Sequence, residues 1–107
     1  MVKKFILKYF IFVNLFLVIS GKDDQELALD YFMQGQFLLN QGNYAMAVIE
    51  FQDAILLDPN AITIHISLAD AYRRIGKVER ALDHLQIALD INPHDLEAMQ
   101  MLGKLYI

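Results

Sequence analysis

Cysteine is absent from all 107 residues, which excludes disulfides, an acylated lipoprotein start, thiol catalysis and zinc sites built on thiolates. Serine is nearly absent too. Ser20 and Ser67 are the only two, and Ser67 lacks the glycine frame that exposes a nucleophilic hydroxyl. No glycine-rich loop suited to cradling phosphate occurs. Basic residues are scarce after the first 20 positions, which hold three of the nine and no acid. The remaining residues carry six basic and thirteen acidic groups, a net charge of −7. Such a body repels phosphate and excludes a nucleic-acid surface. His65, His84 and His94 never fall three or four apart, so no single helix face presents two of them as metal ligands or bases. Asp23-Asp24 reads as a solvated helix start. With no catalytic constellation, the expected role is non-enzymatic, without cofactor or metal.

What is abundant at the start is apolar. Residues 1–20 contain 15 apolar residues and four of the seven phenylalanines. Met1-Val2-Lys3-Lys4 leads into Tyr9–Ile19, an apolar run interrupted only by Asn14. Val18, Ile19 and Ser20 offer a signal-peptidase pocket acceptable residues, with cleavage before Gly21. A Phe5–Ile19 helix would reach ~22 Å, short of a ~30 Å hydrocarbon core, although a snorkelling Lys8 would lengthen it. A cleaved export signal, a retained membrane anchor and an ordinary buried helix all stay open. Lys3, Lys4 and Lys8 precede the run, while Asp23, Asp24 and Glu26 follow it. For the first two readings the repeats therefore lie outside the cytoplasm, exported or membrane-anchored.

From Ala28 onward the chain matches itself at an offset of 34 residues. Gly42 recurs as Gly76, Ala47 as Ala81, Gln52 as Gln86, Ala54 as Ala88 and Pro59 as Pro93. Gly35, Ala69 and Gly103 align, as do Leu38, Tyr72 and Tyr106, Phe51 with Leu85, and Leu68 with Leu102. Glycine and proline fall at segment ends and alanine within helical periods, so each unit reads as two helices. Asp23 caps the first, with Glu26 completing a capping box. Leu27, Tyr31, Gly35 and Leu38 form its apolar face. Gly42 ends it, and Asn43 caps a second helix that presents Ala47, Phe51, Ala54 and Ile55 and stops before Pro59. The second unit runs Ile64–Ile75 and Val78–Ile91, and Asp95 caps a final helix. Alternating polarity is absent, so no strand is expected. Small residues permit close helix crossings, and stacking buries faces that one hairpin leaves bare.

The period and its residues resemble the tetratricopeptide repeat family. The units read Tyr31, Gln34-Gly35, Leu38, Ala47, Phe51, Pro59, and then His65, Leu68-Ala69, Tyr72, Ala81, Leu85, Pro93. A third begins with Met99, Leu102-Gly103 and Tyr106. His65 and Met99 stand where an aromatic is usual and Gln34 where leucine is usual, which weakens local packing. The resemblance implies an all-α fold, antiparallel hairpins stacked as a short right-handed solenoid over residues 21–107, behind the 1–20 leader. Its units are 28–61, 62–95 and a partial 96–107. It also makes Tyr31, Leu38, Tyr44, Phe51, Tyr72 and Tyr106 core residues. Arg73, Arg74, Lys77 and Arg80, near Asp70, Glu79 and Asp83, read as a salt-bridged surface.

Family geometry further implies a concave groove lined by the first helix of each unit. Its residues would be Leu29, Phe32, Gln36, Leu39 and Asn40, then Thr63, Ile66, Asp70 and Arg73, then Gln100 and Lys104. An apolar first repeat beside a charged second one suits an extended peptide or an amphipathic helix from a partner protein. The subgroup that clamps chaperone C-terminal carboxylates needs Lys, Asn and Arg where this chain has Phe32, Gln36, Ser67 and Met101, so that activity is not expected. Two further readings are carried. The apolar end at Leu102, Leu105, Tyr106 and Ile107 would allow homodimers, and a truncated, marginally folded product is the other.

Overall fold

The computed structural model describes residues 21–106. The apolar leader lies outside the described residues. Helix α1 spans Asp24–Asn40, α2 Tyr44–Leu57, α3 Ile62–Arg74, α4 Val78–Ile91 and α5 Leu96–Tyr106, and among the described residues there is no strand.

Helix ends follow local chemistry. Asp23 is extended (φ −84°, ψ 178°) and its Oδ1 accepts the Glu26 N–H at 2.8 Å, satisfying one of the orphan donors of α1. Asp95 does the same for α5 through the Ala98 N–H at 2.9 Å. Asn43 does not cap α2 with its side chain, contrary to expectation. Its ψ of 68° departs from the extended conformation that aims a cap oxygen at the next amides. Gly42 and Gly76 have φ of +79° and +80°, and each places the following amide on a carbonyl of the helix just ended. Those bonds are Asn43 N–H to Leu38 O and Lys77 N–H to Tyr72 O, both 2.9 Å. α2 and α4 stop at Leu57 and Ile91 because the residues before Pro59 and Pro93 cannot stay helical.

α1 packs on α2 and α3 on α4 as two hairpins, α3 also packs on α2 and α1, and α5 packs on α4 and α3. Ala47, Ala54, Ala69, Ala71, Ala81, Ala88 and Ala98 are all fully buried, where small side chains let the helices approach. Phe51, Leu68 and Leu85 are the largest fully enclosed side chains. Gly35 leaves room for the Phe51 ring, since a Cβ there would lie 2.5 Å from Phe51 Cε1. Phe32 tilts against the same ring at 5.9 Å between centroids. Tyr106 departs from the expected core set. It is 74% exposed, because among the described residues no helix covers the outer side of α5.

Candidate partner-binding groove

The first helices of the units, α1, α3 and α5, carry the residues expected to line the groove. Leu29, Asn40, Thr63, Gln100 and Lys104 are exposed, while Phe32, Gln36, Leu39, Asp70 and Arg73 are half-buried. Ile66 is placed otherwise: at 3% exposure it belongs to the core. α3 touches all four other helices, so less of its surface stays free than of α1's, and Ile66 falls on the enclosed part.

Polar side chains pair across these helices. Gln36 Nε2 donates to Ser67 Oγ at 2.7 Å, joining α1 to α3. Gln36 and Ser67 are two of the four positions that the resemblance assigns to the carboxylate clamp, and here they bond each other. Beside them Asp70 accepts from Arg73 Nη2 at 2.7 Å and lies 3.6 Å from Arg74 Nε. One carboxylate thus faces two guanidiniums, and Arg73 Nε is buried without a partner. The Arg74 guanidinium also lies over the Tyr44 ring at 5.5 Å. Part of the expected salt-bridged surface is therefore present, and it centres on Asp70. Arg80 instead covers the Tyr72 ring at 5.9 Å.

The structure also joins two histidines that the sequence keeps 19 positions apart. His65 Nδ1 and His84 Nδ1 are 3.1 Å apart, their rings stacked at 5.3 Å, and Tyr72 also stacks on His84 at 5.7 Å. His65 Nε2 lies 2.7 Å from the Pro59 carbonyl, which only accepts, so Nε2 carries a proton. In the neutral pair His84 Nδ1–H must then donate to His65 Nδ1. Burial, then the neighbouring His65, lowers the His84 pKa below its ordinary value, while Asp83 opposes. Helical spacing within one segment could not reveal a contact made across two helices. The available signal was that position 65 aligns with a family core aromatic. Among the described residues no group of three or more His, Cys, Asp or Glu is placed to hold a metal ion.

Stacked helical hairpins with an open face of polar and apolar side chains define a repeat solenoid, a class whose surface docks other proteins. The tetratricopeptide repeat model matches residues 32–96 and again 66–106, and the chain belongs to that family. It is similar to the photosystem I assembly protein Ycf3 of Synechococcus sp. (strain CC9311), with 34% identity over 79 residues, 71% of this chain and 46% of Ycf3. The CTR9 homolog of Arabidopsis thaliana is 27% identical over 88 residues, 82% of this chain and 8% of that protein. The chain therefore spans about half or less of these relatives. Among solved structures, the first TPR of Spaghetti (RPAP3), bound to the HSP90 peptide SRMEEVD, superposes with a TM-score of 0.50. That match covers 78% of this chain and 94% of the other at 19% identity, a likeness of fold.

Proposed function

We propose that this protein is a docking scaffold that makes and breaks no bond, holding a peptide or a partner helix along α1, α3 and α5. What supports this is that the first helices of successive units keep side chains at least partly open to solvent: Leu29 and Leu39 on α1, Asp70 and Arg73 on α3, and Gln100 and Lys104 on α5. A solved relative of the fold is held with a peptide, which supports a peptide-sized ligand. The residues here favour a different one. Gln36 and Ser67 are mutually bonded, and the Arg73 guanidinium is already engaged by Asp70, so an acidic C-terminal tail finds no free clamp. Titration with the peptide SRMEEVD should give no binding at micromolar concentration, and saturable micromolar binding would overturn that statement. The reading itself is tested by capture on the full chain, with Leu39→Ala and Lys104→Glu expected to abolish it. Retention of the same partner by both variants would remove the groove from consideration.

We also propose that this scaffold works outside the cytoplasm, exported or anchored, a reading supported by the charge asymmetry around Tyr9–Ile19. Among the described residues no helix is long and apolar enough to cross a membrane. Mass spectrometry of the mature N-terminus decides between the two, with Gly21 as the first residue after cleavage.

A second reading, self-association through α5, is favoured by one contrast. The space beside Gly35 is filled by Phe51, whereas a Cβ at Gly103 would meet nothing, and Met99 and Tyr106 beside it are exposed. Two α5 faces could fill each other. A molecular mass that stays monomeric across a hundredfold range of concentration would exclude it.

A further inference from the structure

Both helices of the first hairpin turn a row of large apolar side chains away from the core. On α1 Leu29, Met33 and Phe37 recur every fourth residue and are 54%, 60% and 55% exposed. On α2 Met46, Ile49 and Leu56 form a second exposed row. The 34-residue register sets both apart from the next hairpin. One unit later Met46, Ile49 and Leu56 are replaced by Arg80, Asp83 and Asp90, a charged outer surface. Met33 and Phe37 are replaced by Ser67 and Ala71, which are buried in a helix packed on both α1 and α2. At positions 33 and 37, though not at 29, whose counterpart Thr63 is exposed, α1 thus carries large apolar residues where α3 is covered by its neighbours.

Charge selects the occupant. Residues 23–72 contain eight acidic residues and no lysine or arginine. Helical spacing sets Glu26 and Asp30 directly beside the Leu29, Met33 and Phe37 row, on the side of α1 opposite its buried Ala28 and Gly35. Lys22, at the near end, is already paired with Asp30. Such a surround repels anionic lipid and acidic peptide alike and attracts cationic groups. Methionine adds a conformable surface for aliphatic side chains.

We propose that this outer face of the first hairpin docks a cationic amphipathic helix of a partner protein. Its aliphatic residues, spaced three and four apart, would seat on Leu29, Met33 and Phe37, and its lysines or arginines would face Glu26 and Asp30. The site shares only Leu29 with the groove and stands whether or not the groove holds a peptide.

Because the chain has no cysteine, Met33→Cys supplies a single thiol in the full-length protein. Its maleimide labelling is followed with an 18-residue synthetic helix of leucine on one face and lysine on the other. A second helix carries glutamate for every lysine. The lysine helix should slow labelling about tenfold and the glutamate helix should not. Phe37→Ser, an exposed change that circular dichroism should show to be folded, should weaken the lysine helix about tenfold by fluorescence anisotropy, equivalent to ~1.4 kcal/mol. Equal protection by both helices, or unchanged affinity in Phe37→Ser, would overturn the proposal. So would a thiol that is unreactive before any peptide is added, since the chain's own leader or a second copy would then already occupy the face.

Discussion

Alanine is the better helix former by about 0.5–1 kcal/mol over glycine in a helix interior, yet Gly35→Ala should destabilise this protein. The added Cβ would sit 2.5 Å from a ring carbon of Phe51, which is fully enclosed and has nowhere to retreat. Overpacking of this kind costs about 1–3 kcal/mol, enough to reverse the propensity gain. Gly103→Ala meets open space and should stabilise α5 by about 0.5–1 kcal/mol. Urea midpoints of the two variants should therefore move in opposite directions. The histidine pair gives a pH dependence at the same scale. His84 resists protonation in the folded state, chiefly through burial, so below its ordinary value of about 6.5 the unfolded chain takes up the proton more readily. The contribution of His84 to stability is therefore present above about pH 6.5 and declines as the pH falls through that value. His84→Gln, which keeps a donor for His65 Nδ1 and does not titrate, should flatten the dependence of the urea midpoint between pH 7.5 and about 5.5.

Among elements, repeat identities do not guarantee repeated contacts. Gln52 and Gln86 align, as do Tyr72 and Tyr106. Gln52 Nε2 donates to Tyr72 Oη at 2.6 Å and ties α2 to α3. Gln86 turns instead to Asp90 at 2.9 Å within α4, and Tyr106 stands exposed. Tyr72→Phe should cost about 1 kcal/mol of stability through the lost bond. Tyr106→Phe should leave the melting curve unchanged. The turns behave more alike. Gly42 and Gly76 hold the same left-handed backbone, and an alanine at either should cost about 1–2 kcal/mol by thermal or urea denaturation. Each turn was legible from glycine spacing alone. The missing Asn43 cap was not, because it depends on a ψ angle that the tight Gly42 turn imposes.

At the scale of the whole fold, among the described residues α3 packs against four helices while α5 rests on two. Local opening follows that difference, so amide hydrogen exchange should protect α3 most and α5 least. The two outer helices among the described residues both expose apolar side chains: Leu29, Met33 and Phe37 on α1, Met99 and Tyr106 on α5. Each offers a surface on which a further helix would continue the solenoid, and the surrounding charge distinguishes them.

By itself the sequence determined the class, the period and most helix ends, because these rest on local rules. Glycine takes the left-handed turn, proline forbids the helix before it, aspartate reaches its third amide, and alanine recurs where backbones must meet. Tertiary structure decided everything that depends on which helix comes to lie beside which. It buried Ile66, exposed Tyr106, paired Gln36 with Ser67 and set His65 against His84. Those contacts join residues 19 or more positions apart, and a periodic pattern records which way a side chain faces but not what it meets there.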